Sequence, residues 1–370
     1  MNHCFFKKGR LSLRALDGPL LLFLSALLIY GLLILYSASS HHLSLIQHKL
    51  IHVLLGLSIL FILAQAPPRF YQIWAPYLYM ACLLLLLSVL CFGDLTKGAQ
   101  RWLNLGIIRF QPSELAKLAV PLMVASLISY KPCPPTLCTT FYALLLILFP
   151  TLLVAWQPDL GTAILIASSG LLILFLAGLS WRLLGGLLLL VASLIPVLWF
   201  FGLQPYQRSR LVTLLNPERD PLGSGYHIIQ SKIAIGSGGL WGKGWLKGTQ
   251  SQLEFLPERH TDFIFSVIAE EQGLIGVTLL LALYLAVILR GLILATRAQS
   301  AFGHLVIGGY TLLFFFYVLI NIGMVSGLLP VVGVPLPLIS YGGTSQIILM
   351  ANFGIMLSLH SHRHLLSKSI

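Results

Sequence analysis

Asp262 closes a polar stretch, Pro257-Glu258-Arg259-His260-Thr261-Asp262, and stands directly before the apolar Phe263-Ile264-Phe265. A carboxylate at such a boundary can serve as a general base: partial desolvation would raise its pKa toward a useful range, and a nearby Arg or Lys would lower it. The same residue at a helix start is also an ordinary cap, so two roles compete for it. Glu270 and Glu271 follow at roughly 80° and 180° around a helix from Asp262, and neither makes a same-face carboxylate pair with it.

Cations gather elsewhere. Lys97, Arg101 and Arg109 lie in one polar segment, with Lys117 just inside the next apolar run. Arg offers a rigid fork for phosphate oxygens and Lys a point charge, so an anionic ligand would explain them, as would a lipid-headgroup contact or a solvated loop. Gln111-Pro112-Ser113-Glu114 reads as a helix start, with Ser113 as N-cap and Glu114 in the first turn. Glu114 and Lys117 are then i,i+3 neighbours. An ion pair would reduce the cost of holding either charge near a membrane, roughly 2.5–3.5 kcal/mol for a central Lys or Asp. That pairing is either purely structural or part of a substrate cavity. Asp159, in Gln157-Pro158-Asp159-Leu160-Gly161-Thr162, is placed to cap the helix that follows.

The glycine-rich Gly236-Ser237-Gly238-Gly239-Leu240-Trp241-Gly242-Lys243-Gly244 lacks the phosphate-binding loop's spacing, since Ser237 stands at its required glycine and Gly244 at its hydroxyl residue. Its glycines could still bring backbone N–H groups near a phosphate. The cysteines, Cys4, Cys82, Cys91, Cys133 and Cys138, form no CxxC and have no His at ligand spacing, which argues against a disulfide framework or a zinc site.

The elements that must carry these groups are apolar. Of 370 residues, 57% are hydrophobic and 9% charged, with a mean hydropathy of +0.90. Apolar runs at 18–36, 46–65, 74–92, 114–129, 140–156, 160–178, 183–202, 263–289, 304–328 and 343–360 each approach the roughly 20 residues that span a bilayer core. The expected fold is an all-α, polytopic integral membrane protein of about ten transmembrane helices. The first run exceeds the core length of a signal peptide and reads as a retained anchor.

Lys7, Lys8, Arg10 and Arg14 precede the first run, and Arg363 and Lys368 follow the last, so the positive-inside rule places both termini in the cytoplasm. Of the eleven acidic residues only Asp17 falls inside, so most of the net charge of +12 expresses topology and nucleic acid is not implied. Chain 1–370 reads as one transmembrane domain. Within it, 204–262 forms a large extracytoplasmic loop between helices 7 and 8, with Tyr226 to Ile235 as a short helix lying on the membrane surface or packed on the bundle. Leu328 to Gly343, with Pro330, Pro335, Pro337, Gly333, Gly342 and Gly343, is poor helix material; its backbone must pack on protein or line a wet cavity.

Taken in order, Gly98-Ala99-Gln100-Arg101-Trp102, Gln111-Pro112-Ser113-Glu114, Gln157-Pro158-Asp159-Leu160-Gly161, Pro205-Tyr206-Gln207 with Arg210, Glu258-Arg259-His260-Thr261-Asp262-Phe263 and Pro335-Leu336-Pro337-Leu338-Ile339-Ser340-Tyr341-Gly342-Gly343 closely resemble the SEDS family (shape, elongation, division and sporulation) nearly end to end. The short tails and Gly333-Val334-Pro335 resemble its elongation branch more than its division branch. The resemblance implies a peptidoglycan glycosyltransferase of the bacterial inner membrane. Its active face would be extracytoplasmic, and it would polymerise lipid II into β-1,4 glycan strands beside a class B penicillin-binding protein.

By the same resemblance Asp262 is the catalytic base for the acceptor's 4-hydroxyl, and undecaprenyl pyrophosphate leaves with inversion. Arg101, Trp102, Glu114, Lys117, Asp159 and Arg210 are the expected substrate-binding residues. No cofactor is evident, and a divalent cation is left open because no ligand cluster has recognisable spacing. Two rivals are a lipid II flippase built around Glu270 and Glu271, and a non-catalytic scaffold for the cross-linking partner.

Overall fold

The computed structural model describes residues 16–39, 42–96, 99–104, 109–130, 134–202, 204–217, 223–253, 255–256 and 258–362. Lys7, Lys8, Arg10, Arg14, Lys97, Arg219, Arg363, Lys368, Cys4 and Cys133 lie outside these residues. The chain is mainly helical, and each of the ten apolar runs forms a helix. These are α1 (Gly18–Ala38), α2 (Leu43–Gln65), α3 (Pro68–Phe92), α4 (Pro112–Ser129), α5 (Leu137–Trp156), α6 (Leu160–Leu176), α7 (Trp181–Val197), α11 (Ile264–Thr296), α12 (Ala301–Val325) and α13 (Gly343–Ser361). Among the described residues, seven of these are long and apolar enough to cross a membrane, and α6 and α7 are shorter apolar helices. The polar 204–262 segment adds α8 (Pro205–Leu215), α9 (Ser224–Ser237) and α10 (Thr249–Gln252).

One part departs from the all-α expectation. The segment between α3 and α4 carries a small antiparallel sheet of β1 (Asp94–Thr96), β2 (Ala99–Asn104) and β3 (Arg109–Phe110), in that order. Leu103 faces Phe110 and Asn104 faces Arg109 across β2 and β3. Short strands satisfy backbone groups that a glycine-interrupted stretch of this length cannot satisfy as a helix.

The bundle is graded in burial. In α4, 78% of the apolar window is buried within the protein and in α12 67%, against 22% in α2, so α4 and α12 are central and α2 peripheral. Peripheral helices expose large apolar side chains, among them Leu54 and Ile62 of α2, Trp74 and Tyr77 of α3, and Phe141 and Leu145 of α5. Lipid is the solvent that such a belt requires, and the chain is an integral membrane protein. At the start of α1, Asp17 accepts from the Leu20 N–H at 2.9 Å and pairs with Arg290 of α11 at 2.6 Å. Burial pushes the Asp17 carboxyl up, but the Arg290 and Leu20 hydrogen bonds outweigh it and hold the group below the usual carboxylate range.

α11 is interrupted at Gly273, whose φ of 64° and ψ of −158° are not helical. The bonds lost there are replaced from the glycine-rich loop. The Glu270 and Glu271 carbonyls accept from Lys243 and Gly244 N–H groups at 2.9 Å, and the Leu274 and Ile275 N–H groups donate to Gly239 and Leu240 at 2.9 and 3.3 Å. The loop thus splices the interrupted helix, and its Lys243 and Gly244 N–H groups are engaged there. α9 packs on the bundle, with Ile228 and Ala234 buried and Ser231 bonded to Ser266 at 3.0 Å.

The Leu328 to Gly342 segment is non-helical, as its composition requires. Side chains from other elements satisfy its carbonyls: Arg210 reaches Val331 at 3.0 Å, Asn321 reaches Val334 at 2.7 Å, and Tyr284 reaches Pro337 at 2.7 Å. Lys49 reaches Leu338 at 3.3 Å and Ser340 at 2.6 Å. Backbone that cannot turn to lipid is pinned to protein instead.

Candidate active site

A cavity of about 210 Å³ opens where β2, the first turns of α4 and α6, the residues before α11 and the Pro/Gly segment converge. Six of the seven residues singled out from sequence line it: Arg101, Trp102, Glu114, Lys117, Asp159 and Asp262. Arg210 is not in the lining; its guanidinium donates to the Val331 carbonyl, two residues before the lining Gly333. Arg109 is exposed on β3.

Local sequence explains most of the placement. α4 starts with Gln111 as N-cap and Pro112 in the first turn, so Ser113 lies inside the helix and is not its cap. Pro suits that position because its missing N–H would be unsatisfied there anyway. Glu114 and Lys117 then meet at 2.5 Å, both nearly fully buried, and Lys117 Nζ lies 4.8 Å from the centre of the Tyr317 ring.

Asp159 does cap α6, accepting from Thr162 N–H at 3.4 Å. Its other oxygen accepts from Gln111 at 3.4 Å and lies 3.7 Å from Arg101 Nε. Arg101 Nη2 donates to the Pro158 carbonyl at 2.7 Å. Capping and ion pairing therefore coexist on one carboxylate. Gly161, two residues on, lets Val332 approach: a Cβ there would lie 2.9 Å from the Val332 carbonyl oxygen.

Asp262 is half-buried at the foot of α11, and its carbonyl accepts from Asn321 at 2.9 Å. Asn321 Nδ2 thus bonds both Asp262 and Val334, fastening the acid's backbone to the Pro/Gly segment. Gly333, at φ 76°, faces the carboxylate: a Cβ there would lie 3.5 Å from Asp262 Oδ2. On the same side Tyr341 donates its N–H to the His260 carbonyl at 2.8 Å, and its ring stands edge-on to His260. Burial holds the His260 imidazole below its ordinary value; Glu258 opposes this and Arg259 adds to it.

With every group ionised, the wall carries three carboxylates and two cations, and both cations are paired. Arg101 Nε and Glu114 Oε2 are buried without a hydrogen-bond partner among the described residues, so each pair retains bonding capacity for a ligand. Glu270 and Glu271 lie elsewhere. Glu270 is saturated by Lys243 at 2.8 Å, Thr249 at 3.1 Å and the Gln250 and Ser251 N–H groups at 2.9 and 3.2 Å, while Glu271 accepts from Ser37 at 2.5 Å. No cluster of three metal-ligating side chains occurs among the described residues.

Lys49, Asn321 and Tyr341 were not singled out from sequence as site residues. Lys49 and Asn321 had a readable signal, since each is a strongly polar residue inside an apolar run.

A many-helix membrane protein with an ionisable cavity and an interrupted helix leading from it is a restricted class. A family model described as cell cycle protein, covering FtsW, RodA and SpoVE, matches residues 18–365. The chain belongs to this family. It is 62% identical over 355 residues to peptidoglycan glycosyltransferase MrdB of Escherichia coli (strain K12), covering 96% of each chain. Among solved structures it matches a chain of a peptidoglycan synthase complex described as coordinating polymerization and crosslinking, with a TM-score of 0.83, 37% identity and coverage of 95% and 99%. It also matches the rod shape determining protein RodA of Thermus thermophilus, with a TM-score of 0.72, 33% identity and coverage of 95% and 98%.

Proposed function

We propose that this protein is a peptidoglycan glycosyltransferase that polymerises lipid II into β-1,4 glycan strands during cell elongation. The observation that carries the reading is the position of Asp262, in one cavity with the Glu114–Lys117 and Arg101–Asp159 pairs. Asp262 takes the proton of the acceptor's 4-hydroxyl as that oxygen attacks the donor's anomeric carbon. The bond to undecaprenyl pyrophosphate breaks on the opposite face, so an α-linked donor gives a β-linked product.

Charge develops on the leaving pyrophosphate, and Arg101 and Lys117 are the cations available to offset it. Because each already faces a carboxylate, their role is that of oriented donors held in place by Asp159 and Glu114 rather than of free countercharges. Trp102 supplies an apolar wall. Arg210 acts at one remove, through Val331.

The reading places the protein in the bacterial inner membrane, with the cavity and the 204–262 loop on the extracytoplasmic side and both termini in the cytoplasm. Its partner is a class B penicillin-binding protein, in keeping with the synthase complex in which a similar chain occurs. A flippase using Glu270 and Glu271 is less well supported, because Glu270 is already engaged by four donors.

The test is polymerisation of labelled lipid II in liposomes by purified protein, with and without the partner, native against Asp262→Asn. A loss of roughly 10²–10⁴-fold in the variant supports Asp262 as base. Equal polymerisation removes that role, and none from native protein with its partner turns the reading toward flipping or scaffolding.

A further inference from the structure

Lys49 lies within α2 and is fully buried, at 0% exposure. Its ammonium donates to the Leu338 carbonyl at 3.3 Å and the Ser340 carbonyl at 2.6 Å, and it makes no ion pair among the described residues. A buried cation answered only by two carbonyls is an expensive way to hold a peripheral helix, which apolar packing alone would hold. What it holds is specific. Leu338 adopts a φ of 65°, in the left-handed region that a branched side chain disfavours. The turn around it is closed by Leu336 N–H on Ser340 Oγ at 2.8 Å and Ser340 N–H on the Leu336 carbonyl at 3.0 Å.

Directly after that turn come Tyr341, Gly342 and Gly343, which line the cavity with Asp262. One turn further along α2, His52 stands edge-on to Tyr341 and lies against Gly343, where a Cβ would be 3.0 Å from its Nε2. We infer that Lys49 is a positioning residue for the transferase reaction: by clamping the Leu338 and Ser340 carbonyls it fixes the turn that sets Tyr341 and the glycines against Asp262. The inference rests on the proposed function for its kinetic part and on the geometry alone for its structural part.

The test uses the full-length protein with its partner in lipid nanodiscs, native against Lys49→Met, which keeps chain length and loses the donors. Two readouts are taken: polymerisation kinetics with lipid II, and amide exchange resolved by peptide. The expected result is a fall in kcat of roughly tenfold to a hundredfold with KM changed less than about threefold. Faster exchange should be confined to the peptides over 336–343.

Unchanged kcat and unchanged exchange overturn the proposal. So does exchange that rises throughout α2 and α13 with activity following the folded fraction, for then Lys49 only holds the bundle. A risen KM at constant kcat also overturns it. If native protein fails to polymerise, the proposed function falls, while the exchange readout still decides whether Lys49 clamps the turn.

Discussion

Glu114 and Lys117 stand 2.5 Å apart, one helical turn into α4, with neither side chain open to water. Such a pair is weak evidence of net stabilisation, because desolvating both ions offsets much of their attraction. Breaking it is another matter. Lys117→Met leaves a buried carboxylate without its partner and should cost about 3–5 kcal/mol. Adding Glu114→Gln should return most of the thermal stability while polymerisation stays low. Thermal unfolding in detergent and a glycan-strand assay on the same preparations separate the two effects.

Asp159 has two roles that different substitutions divide. Asp159→Asn keeps a capping oxygen for Thr162 but gives up the charge facing Arg101, so stability should change little and activity should fall. Asp159→Ala loses the cap as well, with a further loss of about 1 kcal/mol. If both variants lose activity and stability in parallel, the Arg101 contact has no separate part in turnover.

Gly333→Ala should lower kcat with only a modest loss of stability. At φ 76° an alanine costs roughly 1–2 kcal/mol, and its methyl would face Asp262 Oδ2 at ordinary contact distance. Gly161→Ala should be the more damaging to folding, because its Cβ would meet Val332 at 2.9 Å and push the Pro/Gly segment off α6. Melting temperatures and steady-state kinetics of the two variants should rank in opposite order.

His260 gives a pH dependence with a defined sign. Its imidazole titrates below the ordinary 6.5, so above that pH it is neutral whether the chain is folded or unfolded, and it contributes no slope. As pH falls below 6.5 the unfolded chain takes up a proton that the folded chain resists, and stability is lost until the folded value is passed. His260→Gln should therefore flatten the stability curve on the acid side of about pH 6.5. The difference between the two curves is the measurement, since other histidines titrate in both proteins.

The helical bundle was legible because lipid demands long apolar runs, and all ten runs from 18–36 to 343–360 appear as helices. Charged residues in apolar surroundings were legible for the same reason, which is how Glu114, Lys117 and Asp159 came to notice and why the structure gathers them. The β1–β3 sheet was not, because its strands are too short for a two-residue period to register. Ser113 was mistaken for a cap because residue preference cannot distinguish adjacent starting points, and Pro112 decided in favour of Gln111. Arg210 carried the right charge in the right loop, yet which carbonyl or cavity a long side chain reaches depends on tertiary packing. Lys49 shows the reverse: its signal was plain, and its partners 289 and 291 residues away were beyond any local pattern.

The splice at Gly273 changes which parts of the chain travel together. The stub from Ile264 to Gln272 is bonded to the glycine-rich loop through the Glu270 and Glu271 carbonyls, and the remainder of α11 is bonded to the same loop through the Leu274 and Ile275 N–H groups. Mechanically, the short stub that Asp262 introduces is a continuation of the polar loop as much as of the long rod beneath it.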